Sequence, residues 1–124
     1  MMKDYFDTTE GTGILATADV TGKVNAAVYG KPHFIDDETI AFIMAERLTL
    51  HNLKSNPYAC YIFRESGEGY RGKRLYLTKT REVADDKLAE EMRRAPRHGD
   101  PDKKSGQSHV VYFHLDKVLP LVGA

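Results

Sequence analysis

Met44-Ala45-Glu46-Arg47-Leu48-Thr49-Leu50-His51-Asn52-Leu53-Lys54-Ser55-Asn56-Pro57 carries most of the structural information in this chain. It finishes an apolar run, Thr39 to Ala45, that reads as a strand buried on both faces. A cationic side chain follows, and then a hydroxyl, Thr49, placed to cap a short helix over 49–55. Asn56 supplies a left-handed stop and Pro57 a residue that cannot continue the helix. Physically this is an anion site: Arg47 offers a two-pronged fork, Thr49 a hydroxyl, and the helix start its open N–H groups and positive dipole end. An ordinary capped helix with Arg47 in water satisfies the same spacing, because a helix N-terminus favours an anion without requiring one.

Upstream, Tyr5 and Phe6 among Asp4, Asp7 and Glu10 suit a short helix that Gly11-Thr12-Gly13 ends. Ile14 to Ala18 is a short apolar run, and Asp19-Val20-Thr21-Gly22 is a turn by composition. Val24, Ala26 and Val28 alternate with Asn25, Ala27 and Tyr29, which predicts a strand with two unlike faces. Pro32 limits how far it can enter a sheet, and Asp36-Asp37-Glu38 turns the chain. Downstream, Tyr58 to Phe63 predicts a strand, Ser66 to Gly72 a loop, and Arg74 to Val83 another strand. Asp85 or Asp86 caps a helix running to about Ala95, its acids early and Arg93-Arg94 late. Pro96 to Ser108 reads as a mobile polar loop, and His109 to Leu115 as a last strand. The expectation is a mainly β fold of six antiparallel strands with short helices, curled into a partly open barrel.

With 124 residues there is room for one domain, taken as 1–124. Eighteen basic side chains balance eighteen acidic ones, which argues against a dedicated nucleic-acid binder. The single cysteine, Cys60, cannot form an internal disulfide and reads as a small buried hydrophobe. No stretch looks like a signal peptide or is long and apolar enough to span a membrane, so a cytoplasmic protein is expected.

Gly67-Glu68-Gly69-Tyr70-Arg71-Gly72 matches a dinucleotide fingerprint and, with Lys73-Arg74, nearly a P-loop. Both need a helix after the glycines. Strand alternation follows instead, so a hairpin loop is expected. The five histidines show no metal-ligand spacing: His109 and His114 lie five apart on one strand, hence on opposite faces. No metal is expected. The basic clusters Arg93-Arg94-Ala95-Pro96-Arg97-His98 and Arg71-Gly72-Lys73-Arg74 read as solvated surface.

Gly13-Ile14-Leu15-Ala16-Thr17, then Val24-Asn25-Ala26-Ala27-Val28, then Arg47-Leu48-Thr49 leading to Asn52-Leu53-Lys54-Ser55-Asn56-Pro57, resembles the flavin-binding split-barrel family that includes pyridoxamine 5′-phosphate oxidase and small FMN-binding proteins. The likeness runs from Gly11 to Val83. It implies a six-stranded antiparallel split β-barrel that forms a homodimer with FMN in clefts between subunits. By carry-over, Arg47 and Thr49 hold the phosphate, Leu48 supplies backbone contact, and Asn52 of the same motif joins the binding set. Asn25, Ala26 and Val28 line the ribityl chain and ring edge. Lys31 stands close to a basic position on that strand, and Arg74 near one from which the partner chain reaches the flavin.

The C-terminal run Val110 to Pro120 offers only His114 and Lys117 where the oxidases carry a second basic set, so the chain looks more like the short FMN-binding branch. The resemblance thus implies a flavin-dependent oxidoreductase or electron carrier acting on a small molecule or redox protein. A non-enzymatic binder of haem or a deazaflavin in the same cleft is the alternative.

Overall fold

A computed structural model of the chain describes residues 2–93 and 107–123. The expected helix end at Ala95 and most of the loop after it lie outside these residues. The elements run α1 (Met2–Thr8), β1 (Gly11–Ala18), β2 (Val24–Tyr29), β3 (His33–Phe34), β4 (Thr39–Met44), α2 (Leu48–Ser55), β5 (Tyr58–Glu65), β6 (Gly72–Ala84), α3 (Asp86–Arg93) and β7 (His109–Pro120). The strands form one antiparallel sheet in the order β2-β1-β5-β6-β7-β4-β3. Its end strands, β2 and β3, are not paired with each other, so the mainly β barrel is split, as expected. It has seven strands among the described residues rather than six. The addition is β3, where His33 and Phe34 pair with Ala41 and Ile40 just after Pro32. Two residues carry no readable alternation.

Register separates the faces. Ala27, Leu15, Tyr61 and Leu75 form one row across β2, β1, β5 and β6 and point into the barrel; Val28, Ile14, Ile62 and Arg74 form the next and point out. Phe6, Leu15, Tyr61, Phe63, Leu75 and Phe113 are among the buried side chains of the main core. Each such side chain, fully buried, contributes about 1.5–3 kcal/mol. β4 is buried on both sides as its unbroken apolar run predicts. Ile40, Phe42 and Met44 enter the main core, while Ala41 and Ile43 join Ala89 of α3 in a second cluster on the outside.

The first two helices close opposite ends of the barrel. α1 inserts Phe6 against Phe63, with ring centroids 5.0 Å apart, near the end of the sheet where Gly11 meets Glu65. α2 buries Leu50 and Leu53 at the other end, by Thr17 and Ala59. Gly11 and Gly13 do not end α1; they belong to β1. Any side chain on Gly13 would collide with the Tyr61 hydroxyl and stand 2.8 Å from the Tyr29 carbonyl oxygen. That hydroxyl is fixed, donating to the Gly30 carbonyl at 2.9 Å.

The loop after β5 is a hairpin connection, with Gly67 and Gly69 at positive φ and β6 following it. α3 is capped by Asp85, whose carboxylate accepts from the Leu88 amide at 3.0 Å.

Candidate functional site

α2 begins where β4 leaves the core. Arg47, not Thr49, is the N-cap: its backbone is extended, at φ −132° and ψ −174°, and its carbonyl accepts from the His51 amide at 3.0 Å. No side chain makes a cap bond there. Thr49 lies one position inside the helix, 3% exposed, with its hydroxyl turned sideways to accept from Asn25 Nδ2 at 3.2 Å. The end of α2 also departs from expectation. Asn56 is extended, at φ −143° and ψ 115°, and its side chain links the turn after β1 to β5, donating to the Asp19 carbonyl and accepting from the Tyr58 amide.

The structure therefore brings Arg47, Leu48, Thr49 and Asn25 to one corner. Asn52 lies one turn further along α2, buried, donating to Thr17 Oγ1 at 3.1 Å. Its observed bond ties the helix to β1. Thr17 was not among the expected site residues; a threonine at an inward position of an otherwise apolar strand is the signal that marks it. Ala26 and Val28 point to the opposite side of β2 from Asn25, onto the outer face.

Lys31 and Arg74 are held elsewhere. Lys31 Nζ donates to the Phe6 carbonyl at 2.9 Å and lies 3.4 Å from Glu10, clamping α1 to the barrel. Arg74 donates from Nε to the Pro120 carbonyl at 2.9 Å and from Nη2 to the Gly123 carbonyl, fastening the end of β7.

An apolar surface adjoins the corner. β2 is an edge strand with Val24 84% and Val28 60% exposed, and Leu48 of α2 is 55% exposed. Ile14, Ala16, Cys60 and Ile62, each half-buried, continue this surface over β1 and β5. Cys60 is half-buried there rather than in the core, and burial pushes its thiol pKa up.

Ionisable groups gather at two other places. Burial opposes ionisation of Glu82, but hydrogen bonds from Lys54 and Lys79 outweigh it and hold its carboxyl below the usual range. His114 lies on the outer face between Asp116, at 2.7 Å, and Glu38, at 3.2 Å; these bonds, Asp116's first, raise its pKa. Asp116 in turn accepts from Thr78 at 2.6 Å, which lowers its own. His109 and His114 do face opposite ways, the first buried and the second exposed. Among the described residues no three His, Cys, Asp or Glu side chains are grouped to hold a metal ion, and no helix is long and apolar enough to cross a membrane.

No protein-family model matches the sequence, and no curated protein matches it. Solved structures do match the fold. An FMN-binding protein from Syntrophomonas wolfei superposes with a TM-score of 0.77 at 19% identity, over 96% of this chain and 82% of that one. HutZ, the haem storage protein from Vibrio cholerae, gives 0.70 at 12% identity, over 96% and 91%. A Clostridium acetobutylicum protein of the pyridoxinephosphate oxidase family gives 0.64 at 13% identity, over 94% and 83%. The chain thus has the split-barrel fold that flavin-binding, oxidase-related and haem-storing proteins share.

Proposed function

We propose that the protein binds FMN as a homodimer and serves as a flavin-dependent oxidoreductase or electron carrier. The observation that carries this reading is the Arg47–Leu48–Thr49 corner, because its parts fit a phosphate. Arg47 is exposed at a helix start with no side-chain cap, so no cap bond competes with an anion for the first-turn amides. Asn25 occupies a lone pair of the Thr49 oxygen, which leaves the hydroxyl proton to donate to an anion. The exposed apolar side of β2, with Ala26 and Val28, and Leu48 beside the corner offer surface for a flat ring and keep water from it.

FMN would supply the redox chemistry; the chain binds, orients and shields it. Asn52 holds α2 in place through Thr17. The outer face of β1 and β5, including the half-buried Ile14 and Ile62, would be buried against a second copy, bringing Arg74 towards the partner. Lys117 lies over the Tyr76 ring at 4.9 Å and His114 is held by carboxylates, which speaks against a second phosphate site on β7 and against pyridoxamine phosphate as substrate. Haem in the same cleft is the second reading, favoured by the likeness to the Vibrio cholerae haem storage protein.

The visible spectrum of the purified protein separates flavin from haem. Titration of the apoprotein with FMN and riboflavin, wild type beside Arg47→Ala, then tests the corner. Loss of the charge-assisted fork should weaken FMN by about 10- to 150-fold, and riboflavin far less. Unchanged FMN affinity would remove Arg47 from the site.

A further inference from the structure

His109 is a buried imidazole that the flavin reading leaves without a task. It opens β7 opposite Met44 of β4 and Ala84 of β6, at the barrel end that α2 closes. Its side chain is 7% exposed, and neither ring nitrogen makes a hydrogen bond of good geometry among the described residues. Yet carboxylates approach both nitrogens. Glu82 Oε2 lies 3.2 Å from Nδ1, and Glu46 Oε2 lies 3.5 Å from Nε2. A neutral imidazole can donate to only one of them; an imidazolium can donate to both.

The neighbours complete a chain of charges. Glu82 of β6 also contacts Lys54 of α2 at 3.0 Å and Lys79 of β6 at 3.1 Å. Lys79 in turn donates to the Leu53 carbonyl in α2. On the side of α3, Asp86 and Arg93 bond to Ser108, next to His109 in the chain. Glu46, with its side chain 62% exposed, directly precedes the helix cap Arg47. An unpaired carboxylate there opposes any anion at the start of α2.

We propose that His109 is a positioning residue for the phosphate corner: it holds the Glu46 carboxylate towards β7 and away from the helix start, so that Arg47 and the helix start can receive a dianion. This rests on the assignment of that corner to the FMN phosphate. Without that contact the Glu46 carboxylate can turn back to the helix start and compete with the phosphate there. Riboflavin, having no phosphate, is insensitive to this exchange and serves as the control.

The test is titration of the apoprotein with FMN and riboflavin. His109→Gln should weaken FMN about fivefold more than riboflavin, the scale of a partly screened charge pair. Glu46→Gln added to that variant should restore the lost FMN preference. Equal weakening of both flavins, or no recovery, would overturn the proposal.

If His109→Gln does not fold, the wild type and Glu46→Gln alone decide the matter. With the carboxylate already held towards β7, Glu46→Gln should leave the preference for FMN over riboflavin within about twofold of the wild type; a clear rise would overturn the proposal. Arg47→Ala separates this inference from the reading beneath it. If Arg47→Ala leaves FMN binding intact, or the wild type does not prefer FMN, the phosphate assignment fails and takes the inference with it. If Arg47→Ala abolishes the preference but Glu46→Gln rescues nothing, only the role of His109 falls.

Discussion

Replacing Thr49 by valine isolates one oxygen atom. The two side chains have nearly the same shape, and Thr49 is almost fully buried, so packing around α2 should survive the change. What disappears is the acceptor for Asn25 Nδ2, at 3.2 Å near the long end of the hydrogen-bond range. Asn25 is only half-buried, so water can take over part of that bond. The stability cost should therefore be about 1 kcal/mol or less, a fall in Tm of about 3–5 °C. Binding should suffer more. If the hydroxyl proton meets a phosphate oxygen, losing that bond costs about 1.5–3 kcal/mol, or about 10- to 150-fold in the FMN dissociation constant. Thermal unfolding and flavin-fluorescence titration, with riboflavin as reference, measure the two losses separately. Asn25→Ala added to Thr49→Val should cost little further stability, since the shared bond is already gone. Equal weakening of FMN and riboflavin would refute the assignment and leave Thr49 with a purely structural bond.

Gly13→Ala should destabilise by about 1–3 kcal/mol in urea unfolding, because the added methyl meets the fixed Tyr61 hydroxyl; a silent change would mean that Tyr61 moves freely. Ile62→Asp, on the outer face of β5, should convert a dimer into monomers by light scattering and release bound flavin with it; a dimer that persists would place the interface elsewhere. His114 has its pKa raised in the folded protein, first by Asp116 and then by Glu38. Its contribution is therefore complete below about pH 6.5, the ordinary histidine value, and is lost as pH rises through the raised one. The stability difference between wild type and His114→Gln should shrink over that rise, and a difference independent of pH would refute the clamp.

Local periodicity reaches as far as local contacts do. The unbroken apolar run of β4 and the alternation of β2 are legible because neighbours on one strand share a face, and the Gly67–Gly72 loop because strand alternation follows it. The identity of the α2 cap was not legible. Thr49 has the side chain of a cap, but its hydroxyl is claimed by Asn25, twenty-four positions away in sequence, and Arg47 takes the cap backbone instead. Asn56 is extended in the same way, bonded to the turn after β1 and to β5. The resemblance offers Lys31 and Arg74 as cations for the cofactor, yet each donates to backbone carbonyls that the folded barrel brings near. His109 is more distant still, for its two carboxylates come from the turn after β4 and from β6.

The position of β4 also governs the order in which the chain can be completed. Apart from two residues of β3, its only ladder partner among the described residues is β7, which supplies residues 109–114. On a ribosome, this apolar strand stays without that partner while residues 45–108 are made. The nascent protein consequently carries an unsatisfied hydrophobic edge through that interval, in which a chaperone or an unwanted neighbour competes with β7 for it.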